Sequence, residues 1–382
     1  MHVTAPSPAA LRTGIDPTHR DLRLDACRGL ALWFIFLDHV PNNLLAWLTL
    51  RNYGFSDTTE IFFFVSGVTC MIAYGGALPA QGWPTVTVRA LQRGLEIYIG
   101  FLLVLLSYLT LVQLAGGKAE YLDATNTAAF FNLPGIAVIR AMALQYMPVN
   151  TDVLPTFVLL HLSFPALLWL LLRRADLALG LSVLLYAAVQ ACDWNLPAWP
   201  RGTWYFNPLA WQLLFVFGAW VAAGNAKRLH RLLRSRITLA AAALYLVFSF
   251  AVVLTWHVHA LEAFMPQMLA KLIYPVDKSS LAPVRLLHFL SLAVIVARLV
   301  RHDWQALSSP LIIAMIRCGE NSLAIYCLGV LLSFAGLVAL QRISDGLAMQ
   351  IVISLAGILV MIAAANAMTW VAKLDRRGPK LF

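Results

Sequence analysis

The first apolar stretch of the chain, RGLALWFIFLDHVPNN at residues 28–43, holds ionisable side chains that could do chemistry inside a membrane helix. Arg28 opens the stretch, Asp38 and His39 stand near its end, and Asp25 lies just before the arginine. Eleven residues of α-helix turn through about 1100°, so Arg28 and His39 share one face about 16 Å apart along the axis. Asp25 joins that face, whereas Asp38 points about 100° away from His39. The spacing predicts a cation and an imidazole in one line along the helix.

Ionisable groups at this depth usually face a bundle interior or a wet cavity and mark functional paths. A neutral imidazole such as His39 can act as a general base, and Asp38 is the second candidate catalytic residue. Structural interpretations stay open for single residues, because Arg28 could extend its head group to the interface and His39 could be a packing histidine. Taken together, the four groups favour a functional interpretation, either an enzyme site or a transport path.

The composition predicts an all-α polytopic membrane protein. The chain has 382 residues, of which 60% are hydrophobic and 12% are charged, whereas soluble proteins carry roughly 25% charged residues. Apolar runs of about 20 residues, each long enough to cross a bilayer, recur along the whole length. We predict about ten transmembrane helices, at about 26–48, 60–78, 94–115, 154–172, 176–192, 204–224, 238–256, 283–300, 310–340 and 347–372. The ninth is long enough to be tilted or broken.

Basic residues are distributed asymmetrically between the two sides of these helices. With the N-terminus inside, 18 of the 28 Lys and Arg residues fall in cytoplasmic segments and 7 in external segments. The asymmetry follows the positive-inside rule and predicts cytoplasmic N- and C-termini. It also accounts for the net charge of +10. We therefore expect contacts with membrane lipids and no nucleic acid, since the basic groups form no single stripe.

We predict one membrane domain between two short tails. Residues 1–23 are polar and proline-containing, and they are expected to form a disordered cytoplasmic tail without a signal peptide. Residues 24–372 form the transmembrane domain, and residues 373–382 form a basic cytoplasmic tail. Residues 125–145 are fairly apolar but contain a Pro-Gly pair and an arginine, so we predict an external re-entrant or interfacial helix there.

No metal site and no disulfide framework are expected. The five cysteines are odd in number and scattered, and they form no CxxC motif. The motif HVHALE places His257 and His259 near Glu262. Two histidines without a firm third ligand do not make a zinc site.

The order of motifs along the chain resembles a known family. Arg-x10-His in a first span, followed by FFFVSG (62–67) in the second, resembles the membrane-bound acyltransferase-3 superfamily, which also has basic residues in the second loop. Residues 24–372 would then form an acyltransferase-3-like transmembrane domain. The blocks that more closely resemble the OpgC family are RDLRLDACRGLALWFIFLDHVPNN (20–43), VNTDVLPTFVLLHL (149–162), YFNPLAWQLLFVFGAW (205–220), LAPVRLLHFLSLA (281–293) and CGENSLAIYCLGVLLSF (318–334).

The resemblance implies an O-acyltransferase of the bacterial inner membrane, because the OpgC family is associated with succinylation of osmoregulated periplasmic glucans. It implies acyl-CoA, with succinyl-CoA expected, as a cytoplasmic co-substrate, a periplasmic glucan as acceptor and no tightly bound cofactor. Two alternatives stay open. One is an acyltransferase that uses acetyl-CoA or another glycan, and the other is a membrane transporter or flippase that uses the charged line as a conduction path.

Arginines near the predicted cytoplasmic side are candidates for donor binding. Arg28, Arg89 and Arg93, with Asp25 beside the first, could hold the 3′-phospho-ADP end of coenzyme A, because a guanidinium presents a planar fork to phosphate. A positive-inside anchor is the alternative for Arg89 and Arg93. Ser66 is a weak candidate nucleophile, and small residues there also allow close helix packing. Since GxSxG is absent, direct attack of a sugar hydroxyl on the thioester is expected.

Polar and aromatic residues near the outer ends of the spans are candidates for acceptor contacts. They are Asn42, Asn43, Glu60, Trp194, Trp199, Trp204 and Tyr205. Amides can bond sugar hydroxyls and rings can pack on sugar C–H faces, although aromatic residues also form interfacial belts. His161, Arg285 and His288 lie within about two turns of the outer edges of their spans. They could line the acceptor cavity or form a buried polar network.

Overall fold

The computed structural model describes residues 21–263, 265–299 and 305–377, and these residues form helices without a β-strand. The helices of the first half are α1 (Leu22–His39), α2 (Thr58–Cys70), α3 (Gly76–Leu114), α4 (Ala119–Thr125), α5 (Ala128–Asn132), α6 (Pro134–Met142), α7 (Val153–Cys192) and α8 (Pro208–Trp220). Those of the second half are α9 (Ala226–Arg234), α10 (Arg236–His257), α11 (His259–Glu262), α12 (Gln267–Ile273), α13 (Pro283–Leu299), α14 (Pro310–Glu320), α15 (Ser322–Arg342) and α16 (Leu347–Arg377). Most of the predicted N-terminal tail and the end of the C-terminal tail lie outside the described residues.

Six helical stretches among the described residues are long and apolar enough to cross a membrane. They are Thr58–Leu114, Val153–Cys192, Pro208–Arg234, Arg236–His257, Ser322–Arg342 and Leu347–Leu374. The backbone leaves helical geometry inside three of them, at Gly82 (φ 75°, ψ 166°), at Arg174 (φ −146°, ψ 68°) and at Gly224 (φ 99°, ψ 4°). The breaks at Gly82 and Arg174 fall where we predicted loops between separate spans, and Gly224 is the last residue of a predicted span. The chain is an all-helical membrane protein, while the count of ten spans and the cytoplasmic termini stay predictions.

Two further predicted spans correspond to shorter helices. α1 has 18 residues and α13 has 17, which is close to the lower limit of about 17 residues for a span. α1 ends at His39, earlier than the predicted end near residue 48. Pro41 disfavours helical geometry at the residue before it, and Val40 is accordingly extended (φ −78°, ψ 112°). The Arg28-to-His39 segment is nevertheless one continuous helix, as predicted.

Two predicted helices are broken into shorter pieces. The span predicted at 310–340 divides at Asn321, which separates α14 from α15. Residues 125–145 do not form one helix, because Asn126 (φ 54°) ends α4 and Leu133 (φ −138°, ψ 63°) separates α5 from α6. α6 is the longer of these two and has nine residues, or about 14 Å, which is too short to cross a bilayer. The segment therefore holds two short helices, and its external re-entrant or interfacial placement stays a prediction.

Close helix packing fixes α1 and α2, the two helices that carry most of the candidate site. On α1 and α14, a Cβ added at Gly29 would lie 1.8 Å from the Met315 carbonyl oxygen, and one at Gly319 would lie 2.0 Å from that of Asp25. Small residues allow helix backbones to approach in this way in membrane proteins. The position of the α1 backbone is therefore set on the side that faces α14.

α2 is held against α8 by the same device. A Cβ at Gly67 would lie 1.9 Å from the Phe215 carbonyl oxygen, and one at Gly218 would lie 2.1 Å from that of Phe64. Gly67 belongs to the FFFVSG motif, so close packing at these small residues is confirmed. A π-helical segment, Met71–Gly75, then joins α2 to α3.

Candidate active site

Two cavities meet at one wall inside the helical bundle. The larger has a volume of about 770 Å³ and is lined by His39, so we call it the His39 cavity. The smaller has about 190 Å³ and is lined by Arg28, so we call it the Arg28 cavity. Phe62, Val153 and Tyr326 line both cavities and form the shared wall. The two ends of the predicted α1 line therefore open into two adjoining spaces.

His39 is the last residue of α1, and its ring lines the larger cavity. Its Nδ1 atom is buried and has no hydrogen-bond partner among the described residues. Native structures leave few buried polar atoms unsatisfied, and a side chain that carries one beside a cavity is a candidate for a ligand-binding or catalytic role. His39 is thus placed as a group that a bound molecule could complete.

Asp38 lines the same cavity, and its oxygen atoms accept hydrogen bonds from the loop that follows α1. Its carboxylate accepts a hydrogen bond from the Thr49 hydroxyl at 2.7 Å, and its backbone carbonyl accepts one from the Arg51 guanidinium at 3.3 Å. This agrees with the predicted divergence of Asp38 from His39 on the helix. Asp38 thus holds the loop after α1 through Thr49, and its catalytic role beside His39 stays a prediction.

A buried network of four charges forms one side of the His39 cavity. Arg285 binds Glu60 through Nε at 2.8 Å and Asp57 through an Nη atom at 3.2 Å, and the Lys278 ammonium donates to Asp57 at 2.7 Å. Glu60 is fully buried and reaches back to the Asp57 backbone N–H at 3.0 Å. Asp57 and Glu60 therefore cap the N-terminus of α2 while they neutralise the two cations. Glu60, a predicted acceptor contact, stands behind the cavity surface.

Asp57 and Lys278 lie outside the helices that could cross a membrane, and each stabilises the charge of the other. Burial raises the pKa of Asp57, but the Lys278 ammonium and the Arg285 guanidinium lower it more strongly, so the pKa lies well below its usual range. Burial lowers the pKa of Lys278, but the Asp57 carboxylate raises it above its usual value. The pair stays ionised across the physiological range.

His288 supports this side of the cavity without lining it. Its Nδ1 lies 2.6 Å from the hydroxyl of Ser56, which does line the cavity. A Cβ at Gly54 would lie 1.9 Å from the His288 ring nitrogen, so only glycine fits beside the imidazole. Arg285 and His288 were each expected to line a cavity or to form a buried polar network. Arg285 does both, whereas His288 belongs to the network alone.

The Arg28 cavity brings together residues from α1, α2, α3, α7 and α15. Arg28 donates to the Thr69 hydroxyl at 2.6 Å and to the Gly319 carbonyl at 3.4 Å, and it lies 3.9 Å from the buried carboxylate of Asp25. Arg93 lines the cavity and pairs with Glu96 at 2.7 Å. Asp25 does not line the cavity and instead stands behind Arg28.

Ser66, Cys70 and His161 complete the polar surface of the Arg28 cavity. The His161 Nδ1 lies 2.9 Å from the Phe157 carbonyl, and its Nε2 lies 3.5 Å from the Cys70 sulfur. Of the two interpretations open for His161, these contacts favour the buried polar network, and His161 lines the Arg28 cavity and not the His39 cavity. Its position two turns into α7 carries it past the shared wall and into the smaller cavity.

Several predicted binding residues have structural roles or lie elsewhere. Asn43 accepts from the Leu45 N–H and bonds Ser354 at 3.0 Å, and Asn42 holds a turn at φ 55°. The chain turns here, and asparagine suits such positions. Neither residue lines the His39 cavity, and their assignment as acceptor contacts stays a prediction. Arg89 is exposed, donates to Gln81 at 2.8 Å and lines neither of these two cavities.

The four aromatic residues predicted as acceptor contacts lie in different places, and one of them lines the His39 cavity. Tyr205 lines the His39 cavity, whereas Trp204 is buried, Trp194 is exposed outside the cavity and Trp199 packs edge-on against Tyr146. Cavity-lining residues that the sequence did not single out for this role are Arg51, Asp57, Asp152, Trp256, His257 and Lys278. Of these residues, only Asp57 had a local signal in the sequence, the Asp57-x-x-Glu60 capping pattern at the start of a helix. Among the described residues, no group of three His, Cys, Asp or Glu side chains could hold a metal ion.

Comparison with family models gives one match that spans most of the chain. The model described as OpgC protein matches residues 20–373. Comparisons with curated proteins and with solved structures found no match. The matched range contains α1, the shared wall and every residue that lines the two cavities. This chain belongs to the OpgC protein family.

Proposed function

We propose that the protein is an inner-membrane O-acyltransferase that moves an acyl group from acyl-CoA to a hydroxyl of a periplasmic glucan. The acyl group that we propose is succinyl. The observation that carries the proposal is the pair of cavities that share the wall of Phe62, Val153 and Tyr326, with an arginine-lined space on one side and His39 on the other. The OpgC family membership supports transferase chemistry. The succinyl donor and the glucan acceptor are parts of the proposal.

The Arg28 cavity suits the donor. Its volume of about 190 Å³ is narrow for a nucleotide but fits a thin flexible arm such as pantetheine. Arg28 and Arg93 supply guanidinium groups at this cavity, where they can pair with the phosphates of coenzyme A. The nucleotide would then lie at the cytoplasmic mouth, and the thioester would reach the shared wall.

The His39 cavity suits the acceptor. A volume of about 770 Å³ lies within the range of about 300–1,000 Å³ typical of ligand pockets. Its polar lining includes Arg51, Asp57, Asp152 and Lys278, which supplies both donors and acceptors for sugar hydroxyls. The cation pair Lys278 and Arg285 is held in place by the buried network, so these donors are fixed before a substrate arrives.

The chemical step then takes place at the shared wall. His39 removes the proton from a sugar hydroxyl, whose oxygen attacks the thioester carbonyl carbon presented from the Arg28 cavity. The new C–O ester bond forms as the C–S bond breaks, and the leaving CoA thiolate takes up the proton. Direct attack needs no acyl-enzyme, which agrees with the absence of a GxSxG motif. Tyr326 must allow the acyl group through, because its ring lines both cavities and its hydroxyl bonds the Asn150 carbonyl at 2.7 Å.

The test uses protein purified in detergent, where no membrane gradient exists. Periplasmic glucan from cells that lack this protein serves as acceptor, and succinyl-CoA and acetyl-CoA are compared as donors. We expect glucan-dependent release of free CoA, faster with succinyl-CoA, and an ester on the glucan that mass spectrometry detects. Transfer of acetyl alone would change the donor. A protein that transfers nothing in detergent but moves substrate across liposomes would be a transporter, and the proposal would fail.

A further inference from the structure

An exposed row of aromatic side chains leads out of the His39 cavity. We call it the aromatic edge, and it consists of Trp47, Tyr53, Trp256, His257 and Tyr274. The four largest rings are between 40% and 45% exposed, so each presents an accessible face. The row combines three parts of the fold, the loop after α1, the C-terminal end of α10 and Tyr274 directly after α12.

The rings of the aromatic edge contact one another. Trp47 and His257 have ring centroids 4.4 Å apart, and Trp256 and Tyr274 have centroids 6.2 Å apart and share a hydrogen bond between the indole N–H and the phenol oxygen. The Tyr53 hydroxyl donates to the Trp47 carbonyl at 2.5 Å. These contacts keep the exposed faces in place, so a ligand would lose little conformational entropy of the protein on binding.

The aromatic edge is continuous with the candidate active site. Trp256 and His257 line the His39 cavity, together with Arg51 and Asn52. Trp47 does not line it and lies one ring contact further out, against His257. Aromatic rings beside an arginine and an amide at the same cavity suit an amphipathic, polyhydroxylated chain. A lipid-facing aromatic belt gives no reason for such rings to line a polar cavity.

We propose that the aromatic edge binds the sugar residues of the glucan that lie beyond the one being acylated. This inference rests on the proposed acceptor class. One sugar occupies the His39 cavity, the next passes between Trp256 and His257, and a later one packs its C–H face on Trp47. Arg51 and Asn52 bond hydroxyls along this path. The site would therefore prefer long acceptors over short ones.

Trp47→Ala tests the outermost position without touching the catalytic cavity. Isothermal titration calorimetry in detergent would measure binding of long periplasmic glucan and of the disaccharide that partial hydrolysis of that glucan releases. We expect Trp47→Ala to weaken binding of the long glucan by roughly 2- to 12-fold, the usual range for one aromatic contact, and to leave binding of the disaccharide unchanged. Trp47→Phe should retain most of the affinity, because it keeps an aromatic face.

Trp83→Ala is the matched control, since Trp83 is 39% exposed, close to the 41% of Trp47, and lines neither the His39 cavity nor the Arg28 cavity. It should bind the long glucan as the wild type does. The proposal is overturned if Trp47→Ala keeps full affinity, if Trp83→Ala loses as much, or if the wild type binds the disaccharide as tightly as the long glucan. Binding is measured without turnover. A protein that binds long glucan through Trp47 but transfers no acyl group would therefore refute the reaction and leave the aromatic edge in place.

Discussion

The two cavities differ in size and in how their charges are satisfied. The His39 cavity is about four times larger than the Arg28 cavity, at about 770 Å³ against 190 Å³. It is bounded by two cation–carboxylate pairs that neutralise each other, Lys278 with Asp57 and Arg285 with Glu60. The Arg28 guanidinium instead bonds a hydroxyl and a backbone carbonyl, with its carboxylate partner at 3.9 Å.

This difference teaches that one helix can serve two substrates of different shape. α1 sets the separation of Arg28 and His39 at about 16 Å along its axis. The narrow side suits a thin arm with phosphates at its end, and the wide side suits a bulky carbohydrate. Substitutions on the wide side should therefore affect turnover or stability, and those on the narrow side should affect affinity for acyl-CoA.

His39→Ala should give the largest effect and would separate chemistry from donor binding. It removes the proposed general base, so turnover should fall by about 10²–10⁴-fold while the affinity for acyl-CoA stays near that of the wild type. Turnover and acyl-CoA affinity would be measured on folded, purified protein. Near-normal turnover, or a defect confined to donor binding, would return His39 to a packing role.

Arg285→Met should destabilise the protein rather than weaken the donor site. It leaves the fully buried Glu60 carboxylate without its cation, and removal of one partner from a buried pair costs about 3–5 kcal/mol. The apparent melting temperature in detergent would fall accordingly. Glu60→Gln is the matched control and should cost less, because the amide can still accept from the Asp57 N–H and Arg285 keeps Asp57. An unchanged melting temperature for Arg285→Met would mean that the network of buried charges does not stabilise the fold.

The helices were predictable because the length of an apolar run can be read directly from neighbouring residues in the sequence. The apolar runs gave the helical class, and the loops predicted near residues 82 and 174 coincide with breaks in two long helices. The face shared by Arg28 and His39 was also predictable, since it follows from 3.6 residues per turn. The division at Asn321 was anticipated only as a possibility, because no proline marks it.

The partners of the site residues were not predictable in the same way. Lys278 and Asp57 are 221 positions apart, and no periodicity in the sequence brings them together. His161 was placed by its depth in one span, which says nothing about the cavity it faces. The structural role of Asn42 and Asn43 was within reach, because Pro-Asn-Asn after a helix is a turn signal.

Arg28→Ala should lower the affinity for acyl-CoA and thereby mark the narrow side as the donor side. Loss of a charge-assisted hydrogen bond to phosphate corresponds to about 1.5–3 kcal/mol, or about 10- to 150-fold in affinity. Arg28→Lys should recover only part of this, because an ammonium lacks the fork. Since Arg28 also joins α1 to Thr69 and Gly319, the folded state of each variant must be confirmed by its melting temperature. Unchanged donor affinity in a folded Arg28→Ala protein would contradict the assignment.

The smallest effects should come from Arg93 and Arg89, and their order would define where the donor site ends. Arg93 lines the Arg28 cavity, whereas Arg89 is exposed and bonds Gln81. An exposed charge contributes at most about 1 kcal/mol, so Arg89→Ala should change acyl-CoA affinity by less than about 5-fold. Arg93→Ala should cost more, up to about 10-fold, since the cavity excludes part of the solvent that would screen a phosphate contact. Affinity titrations of the two variants with acyl-CoA, repeated at higher salt, would decide the order. If both variants lose the same affinity for acyl-CoA, the donor site extends along α3 to Arg89. If neither variant loses affinity, both arginines are positive-inside anchors and not donor contacts.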